Sequence, residues 1–257
     1  MPESRSSFEK AIRLSDMLHF FTLSEKKEEM YWGITANLLI RADAIGEIRF
    51  PIHYPKKGGG EDINFCLKII ENYNDNNRNN LKLFKSSPGA RVTHPFWSES
   101  FKSYIRFFRW GYGDVYLYRD YSQYRFRQYP NLIEYFTFLL ILILINLIFL
   151  PKSIFIVIIY LFINLVFFYL WELICEMSKF KSQKRNFNFI SLVKAVLIRQ
   201  LNDYGRFIHQ MPKLWKFTER WDYFCTGESI KYERLNALKK FIGYFSISMF
   251  LLIILII

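Results

Sequence analysis

The sequence predicts an α/β unit over its first half and an α-helical membrane region over its second. Three observations carry that division. A glycine run ending at residue 60 feeds a helical pattern: Ile63, Cys66, Leu67, Ile70 and Tyr73 fall at the spacing of one helix face. Beyond that helix, short apolar stretches at 81–83 and 90–94 read as strands. Beyond Pro130 the apolar residues gather into runs close to the ~20 residues that carry a helix across a bilayer.

Composition supports the second half of that division. The 257 residues include 35 Lys and Arg against 23 Asp and Glu, a formal charge of +12. With 51% hydrophobic and 19% aromatic residues, the chain is too apolar for a disordered basic tail. A nucleic-acid binder could carry this charge. Because the apolar residues cluster after Pro130, however, the basic flanks are read as facing anionic lipid, and no nucleic-acid partner is expected. The cysteines, Cys66, Cys175 and Cys225, are odd in number and far apart in sequence. Neither C-x-x-C spacing nor a disulfide framework is legible, and buried thiols in a reducing compartment are expected. The first ten residues lack the apolar stretch of a cleaved signal peptide, which leaves membrane insertion to an internal segment.

Taken in order, residues 1–29 are polar with one amphipathic helix, Phe8, Ile12, Leu14, Leu18 and Phe21 sharing a broad face. Residues 31–41, YWGITANLLIR, begin near Gly33, contain Asn37 and reach a buried strand or helix start at 38–40. The helix that follows the glycine run gives way to an asparagine-rich turn at 72–80. Leu81 and Leu83 alternate with Lys82 as a strand would, SSPG at 86–89 turns the chain, and 90–94 is a short strand ending on His94. Residues 101–129 mix Arg106, Arg109, Arg119, Arg125 and Arg127 with many aromatics. That suits a helix at a membrane surface, with rings at headgroup depth and guanidinium groups on phosphate. Runs at 133–150 and 154–173 are joined by Pro151-Lys152-Ser153 and read as a transmembrane hairpin. Basic residues before Pro130 and at 179–185 place both of its ends on the cytosolic side. The expected organisation is thus 1–129 soluble domain with an interfacial helix and 130–174 hairpin. After it come 175–240, cytosolic or interfacial, and 241–257, a third transmembrane helix.

The chemistry concentrates in residues 50–67, FPIHYPKKGGGEDINFCL. Glycines let the backbone take φ > 0 and let a ligand come close. Glu61 and Asp62 fall in the first helical turn, where free N–H groups and the helix dipole favour the charged form. Asp62 is therefore expected to stay ionised and able to accept a proton. A base held beside a glycine loop suits deprotonation of an acceptor hydroxyl. The same pair also reads as a plain helix cap with no chemistry attached.

The pieces occur in a recognisable order. Gly33-x-x-x-Asn37-x-x-x-Arg41 is followed by FP-x-x-YP-x-x-GGGED, a strand ending at His94, an aromatic arginine-rich segment and membrane spans. This resembles the C-terminal half of a family 2 glycosyltransferase of GT-A fold, from about Phe8 to Tyr121. The resemblance implies a partial GT-A (Rossmann-like) domain lacking its nucleotide-binding half, followed by an α-helical transmembrane region. It implies transfer of a sugar, with inversion, from a nucleotide-sugar donor to a hydroxyl on a glycan, lipid or polysaccharide acceptor at the cytosolic face. Asp62 would be the catalytic base and Glu61 would hold acceptor or loop. Gly33, Asn37, Gly59 and Gly60 would lie along the substrate. His94 would complete a divalent metal site (Mn or Mg) at the diphosphate, or would simply cap its strand. Arg106-Phe-Phe-Arg109-Trp110 is similar to the Gln-x-x-Arg-Trp motif of processive members, whose tryptophan stacks on sugar. Arg106 stands in place of the glutamine, and Phe107 and Phe108 fit an interfacial aromatic belt equally well.

One part of the pattern is missing. The sequence contains no Asp-x-Asp to grip metal and diphosphate, and no Rossmann-like half precedes the motifs. The chain is therefore expected to be a fragment, or to take that half from a separate chain, or to be a non-catalytic remnant. It is expected to be inactive alone. A different class stays open: a non-catalytic membrane protein whose basic aromatic surface recruits a partner or anionic lipid.

Overall fold

The computed structural model describes residues 6–18, 25–55, 59–76, 83–90, 92, 97–149, 154–211 and 219–256. It overturns the α/β expectation. Among the described residues the chain forms eight helices and only four strands, of two or three residues each, paired as two separate antiparallel ladders. A Rossmann-like sheet needs strands buried on both faces. Leu39, in the stretch expected to form one, is 97% exposed, and residues 38–40 join no ladder. Of the 90–94 stretch, only Ala90 and Val92 are among the described residues, and neither joins a ladder.

Helix α1 (Ser7–Leu14) starts at a capping box. Ser6 Oγ accepts the Glu9 N–H, and the Glu9 carboxylate accepts the Ser6 N–H. It buries Phe8, Ile12 and Leu14 as their spacing predicts, and Leu18 is buried beyond its end. Phe21 lies outside the described residues. Strand β1 (Glu29–Met30), the short α2 (Ala42–Ile45), α3 (Glu61–Asn76) and β2 (Phe84–Lys85) follow, with β2 pairing back on β1. Helix α3 buries Ile63, Cys66, Leu67 and Ile70 on one face, as expected. Next come α4 (Phe101–Asp120), β3 (Arg125–Arg127), α5 (Leu132–Phe149), α6 (Ile154–Ser182) and α7 (Phe189–Gln210). The chain ends with β4 (Glu219–Trp221), paired to β3, and α8 (Glu228–Ile256).

Helices α4 and α7 cross with their backbones in contact. A methyl group at Gly111 would overlap the Asn202 carbonyl oxygen, and one at Gly205 would overlap the Phe108 carbonyl. With no side chain on either glycine, the two backbones touch. Polar bonds then fix the register. Asn202 Nδ2 donates to the Phe107 carbonyl at 3.0 Å, and Arg206 Nε donates to Asp114 at 2.7 Å. Tyr223 OH donates to the other Asp114 oxygen at 2.5 Å. Arg206 also pairs with Asp203 at 2.9 Å, which takes Arg220 as well. Breaking one partner out of such a buried set leaves an uncompensated charge. Around the crossing, Phe8 and Ile12 of α1 pack with Phe107, Leu192, Val196 and Ile198.

Among the described residues, two helices are long and apolar enough to cross a membrane, α6 and residues 230–254 of α8; the apolar stretch of α5 is shorter. Helix α8 is 29 residues long rather than the 17 of its apolar run, because the charged residues before Phe241 form its first turns. Phe155, Phe162, Val166, Phe245 and Ile253 face outward. The inward face of α6 recurs every four residues: Tyr160, Asn164, Phe168, Glu172, Glu176 and Phe180. Tyr160 OH donates to the Ser248 carbonyl at 3.0 Å, and Ser248 Oγ donates to Asn164 Oδ1 at 3.0 Å. Tyr244 bonds Glu172, and Lys240 pairs with Glu172 at 2.6 Å and Glu176 at 2.9 Å.

The crossing yields a direct test. Because each added methyl meets backbone rather than a movable side chain, Gly111→Ala or Gly205→Ala should cost about 3 kcal/mol or more, the upper end for overpacking. Gly89→Ala, with nothing within 4 Å, should stay within about 0.5 kcal/mol of wild type. Thermal unfolding followed by circular dichroism in detergent would separate them. Equal melting temperatures would contradict the crossing.

Candidate functional site

The site is assembled where the glycine loop enters α3. Gly59 (φ 86°) and Gly60 (φ 95°) hold a backbone conformation that other residues rarely adopt. They are also crowded. A methyl group on Gly59 would lie 3.1 Å from the Trp110 ring, and one on Gly60 would lie 3.1 Å from Tyr54 and 3.3 Å from Leu117. The loop is therefore pressed between Tyr54 and the α4 face that bears Trp110 and Leu117. Gly58 lies outside the described residues. The Asn64 N–H donates to the Gly60 carbonyl at 2.9 Å, which starts the helix and puts Glu61 and Asp62 in its first turn.

Asp62 is not held as its position led us to expect. Its Oδ1 accepts the Ile63 N–H at 3.0 Å, but no basic side chain among the described residues pairs with it or with Glu61. Glu61 Oε2 is buried without a hydrogen-bond partner among those residues. Burial, and after it the neighbouring Glu61 charge, push the Asp62 carboxyl up to about 6. Desolvation outweighs the helix N-terminus here. The change favours chemistry, since a carboxyl near 6 holds an abstracted proton better than one at the ordinary value.

Of the residues expected to share the site, the structure gathers Gly59, Gly60, Glu61, Asp62 and Trp110. Gly33 joins them from behind, its carbonyl accepting the Cys66 thiol at 3.8 Å, one turn along α3 from Asp62. Asn37 goes elsewhere: its amide donates to the Ala90 carbonyl at 2.9 Å on the surface. Arg106 is exposed and lies over the Trp97 ring at 4.4 Å, and Trp97 in turn meets Trp110 edge-on at 5.7 Å. Arg109 is exposed and makes no ion pair among the described residues. His94 lies outside the described residues. Among those residues no group of three or more His, Cys, Asp or Glu could hold a metal, and Glu61 with Asp62 makes only two. The site thus does not fit a metal by itself.

A neighbouring network escaped the sequence reading. Asp120 Oδ2, at the end of α4, accepts Asn64 Nδ2 at 2.9 Å and bonds His53 Nε2 at 2.9 Å. Burial opposes the charge on Asp120, yet the bonds from His53 and Arg119 hold its carboxyl below the usual range. Asn64 also reaches Tyr54 OH at 3.3 Å. The available signal was Asn64 itself, an amide within an apolar helix face and fully buried. No family model, curated protein or solved structure matches this chain.

The raised Asp62 value sets a pH dependence of known sign. Above pH 6 the carboxyl is charged in both folded and unfolded chain, and its burial penalty is fully felt. Between 6 and the ordinary 3.8 the folded state holds the proton more tightly, so this contribution to stability rises as pH falls. Asp62→Asn should therefore be more stable than wild type at pH 7.5, on the order of 2 kcal/mol. The gap should narrow by pH 5, as read by denaturant melts at both values. A gap that is constant with pH would show a solvated carboxylate.

Proposed function

We propose that this chain carries the acceptor-activating part of a membrane-anchored glycosyltransferase of family 2 type, working on a nucleotide-sugar donor with inversion. The reading rests on one observation. An acidic side chain with a carboxyl near 6 sits at the mouth of a glycine loop that packs on the Trp110 ring, without a cation to neutralise it among the described residues. It does not rest on the fold, which is helical.

In this reading the acceptor hydroxyl gives its proton to Asp62 as its oxygen bonds to the anomeric carbon. The bond from that carbon to the diphosphate oxygen breaks, and the nucleoside diphosphate leaves. Glu61 keeps the niche polar and holds the acceptor, and Trp110 supplies an apolar ring for the sugar's flat face. Gly59 and Gly60 let the loop pack against Trp110, Tyr54 and Leu117 and so fix where Asp62 stands, and the exposed Arg106 and Arg109 lie on the same helix as Trp110. The donor's diphosphate and a Mn or Mg ion would be held by the nucleotide-binding half that this chain lacks, supplied by a separate chain, the metal there offsetting the charge of the leaving diphosphate. Helices α6 and α8 anchor the assembly, α5 completes a multi-pass arrangement, and the basic residues at 179–185 set the site on the cytosolic side.

The alternative, a non-catalytic membrane protein that recruits a partner or anionic lipid, draws on the same exposed Arg106 and Arg109. Activity separates the two. In membranes that hold this chain together with the nucleotide-binding half it lacks, supplied with labelled UDP- or GDP-sugars and Mn, Asp62→Asn should lower transfer by about 10²- to 10⁴-fold. The wild-type rate should climb as pH passes 6 and the base loses its proton. Transfer by Asp62→Asn at the wild-type rate would remove Asp62 as the base. No transfer by wild type, together with vesicle binding unaffected by Asp62→Asn, would favour the alternative.

A further inference from the structure

A second concave site lies away from Asp62, where the ends of α6, α7 and α8 converge with β4. It is a cavity of 390 Å³, large enough for a small polar ligand. Six basic side chains line it, Lys179, Arg185, Arg199, Arg206, Arg220 and Lys240, with four carboxylates in the lining and two more, Asp114 and Glu176, pairing Arg206 and Arg199 from behind it. Cations are in excess at one end. There Asp16 alone receives Lys179 at 2.7 Å, Arg185 at 2.5 Å and Arg199 at 2.8 Å. Of these three, Arg199 also has Glu176, at 2.5 Å. Three cations on one carboxylate hold Asp16 far below its ordinary range, although burial works against the charge. Three cations thus share two carboxylates, Asp16 and Glu176, which leaves one local positive charge.

The lining residues also carry buried polar atoms with no hydrogen-bond partner among the described residues. Asn131 Nδ2, Arg220 Nε and Trp221 Nε1 are donors; Gln200 Oε1 and Asn202 Oδ1 are acceptors. Buried polar atoms of native proteins are nearly always partnered, by protein, water or ligand. The guanidinium and ammonium groups of the lining suit phosphate oxygens, and the unpartnered atoms lie just beneath the wall, within reach of a ligand once their side chains turn toward it. The acceptors among them suit hydroxyls. The position is also telling. The cavity lies at the basic end of α6, past its most apolar stretch, at the depth where phosphate headgroups of a bilayer would stand.

We propose that this cavity binds a phosphate ester bearing free hydroxyls, the chemistry shared by the glycerophosphate headgroup of an anionic phospholipid and by a soluble phosphate ester. The site is independent of Asp62 and of the transfer reaction. Arg185 closes its outer end, its side chain 36% exposed, and exchanges Asp16 for the incoming anion.

The test uses the full chain in neutral detergent, titrated calorimetrically with inorganic phosphate and with glycerol phosphate. In parallel, the chain is placed in vesicles of phosphatidylcholine with or without phosphatidylglycerol, and retained lipid is read by native mass spectrometry. Saturable binding of glycerol phosphate is expected, with a melting temperature that rises with its concentration. Arg185→Gln should weaken binding at least tenfold. Lys181→Gln, on the same helix end but outside the cavity, should leave it unchanged. Retention of phosphatidylglycerol without glycerol phosphate binding assigns the site to lipid, and the reverse assigns it to a soluble ester. Binding of neither, no preference for phosphatidylglycerol over phosphatidylcholine, or equal losses in the two variants would overturn the proposal. The melting-temperature response of wild type decides the matter even if Arg185→Gln fails to fold.

Discussion

The structure depends on two backbones touching. Where α4 meets α7, Gly111 and Gly205 each leave room for a carbonyl of the other helix, and every larger residue would push the helices apart. Each of the two helices then has its own task on its far side. Helix α4 presents Trp110 and Leu117 to the glycine loop, so the loop's shape is set by a helix whose position the crossing fixes. Helix α7 carries Arg199 and Arg206 to the α6–α8 junction. The loop and the basic cavity are thus positioned by one contact.

Charge is handled differently at the two places. Beside α3 the acids lack cations among the described residues, and burial raises a carboxyl toward neutrality. At the α6–α8 junction the acids are surrounded by cations, and Glu172 and Glu176 are tied to Lys240 and Tyr244. Helices whose outer faces are apolar can bring charged side chains inside only if those charges are paired there. The four-residue recurrence on α6 does this, presenting Asn164, Glu172 and Glu176 to α8. One arrangement prepares a group to react, and the other holds helices together.

Much of the local structure was legible in the sequence, and the global fold was not. Periodicity alone located α1, the buried face of α3, the aromatic helix α4 and the apolar α5 and α6, because each face repeats with the helix period. The strands failed for an energetic reason. A short apolar stretch such as 38–40 arises by chance as readily as by design, and nothing in sequence tells whether a sheet exists to bury it; of 81–83 only Leu83 is described, and it stands directly before β2. The motif grouping partly held. The GGGED loop and Trp110 meet, since glycine and tryptophan are complementary in size, while Asn37 is drawn away to Ala90. The helix dipole misled on Asp62, because its reach is local and depth of burial cannot be read from one chain. The glycine crossing was hidden for a similar reason. Gly111 and Gly205 are unremarkable singly, and only their opposition in space gives them meaning.

The claim beneath all of this is that the α4–α7 contact creates the environment of Asp62. The most direct measurement is the carboxyl carbon resonance of Asp62, followed against pH in isotope-labelled chain, in wild type and in a variant with the crossing opened by Gly111→Ala. The account predicts titration near 6 in wild type and a fall toward the ordinary aspartate value in the variant. An ordinary value in wild type, or the same raised value in both proteins, would contradict it.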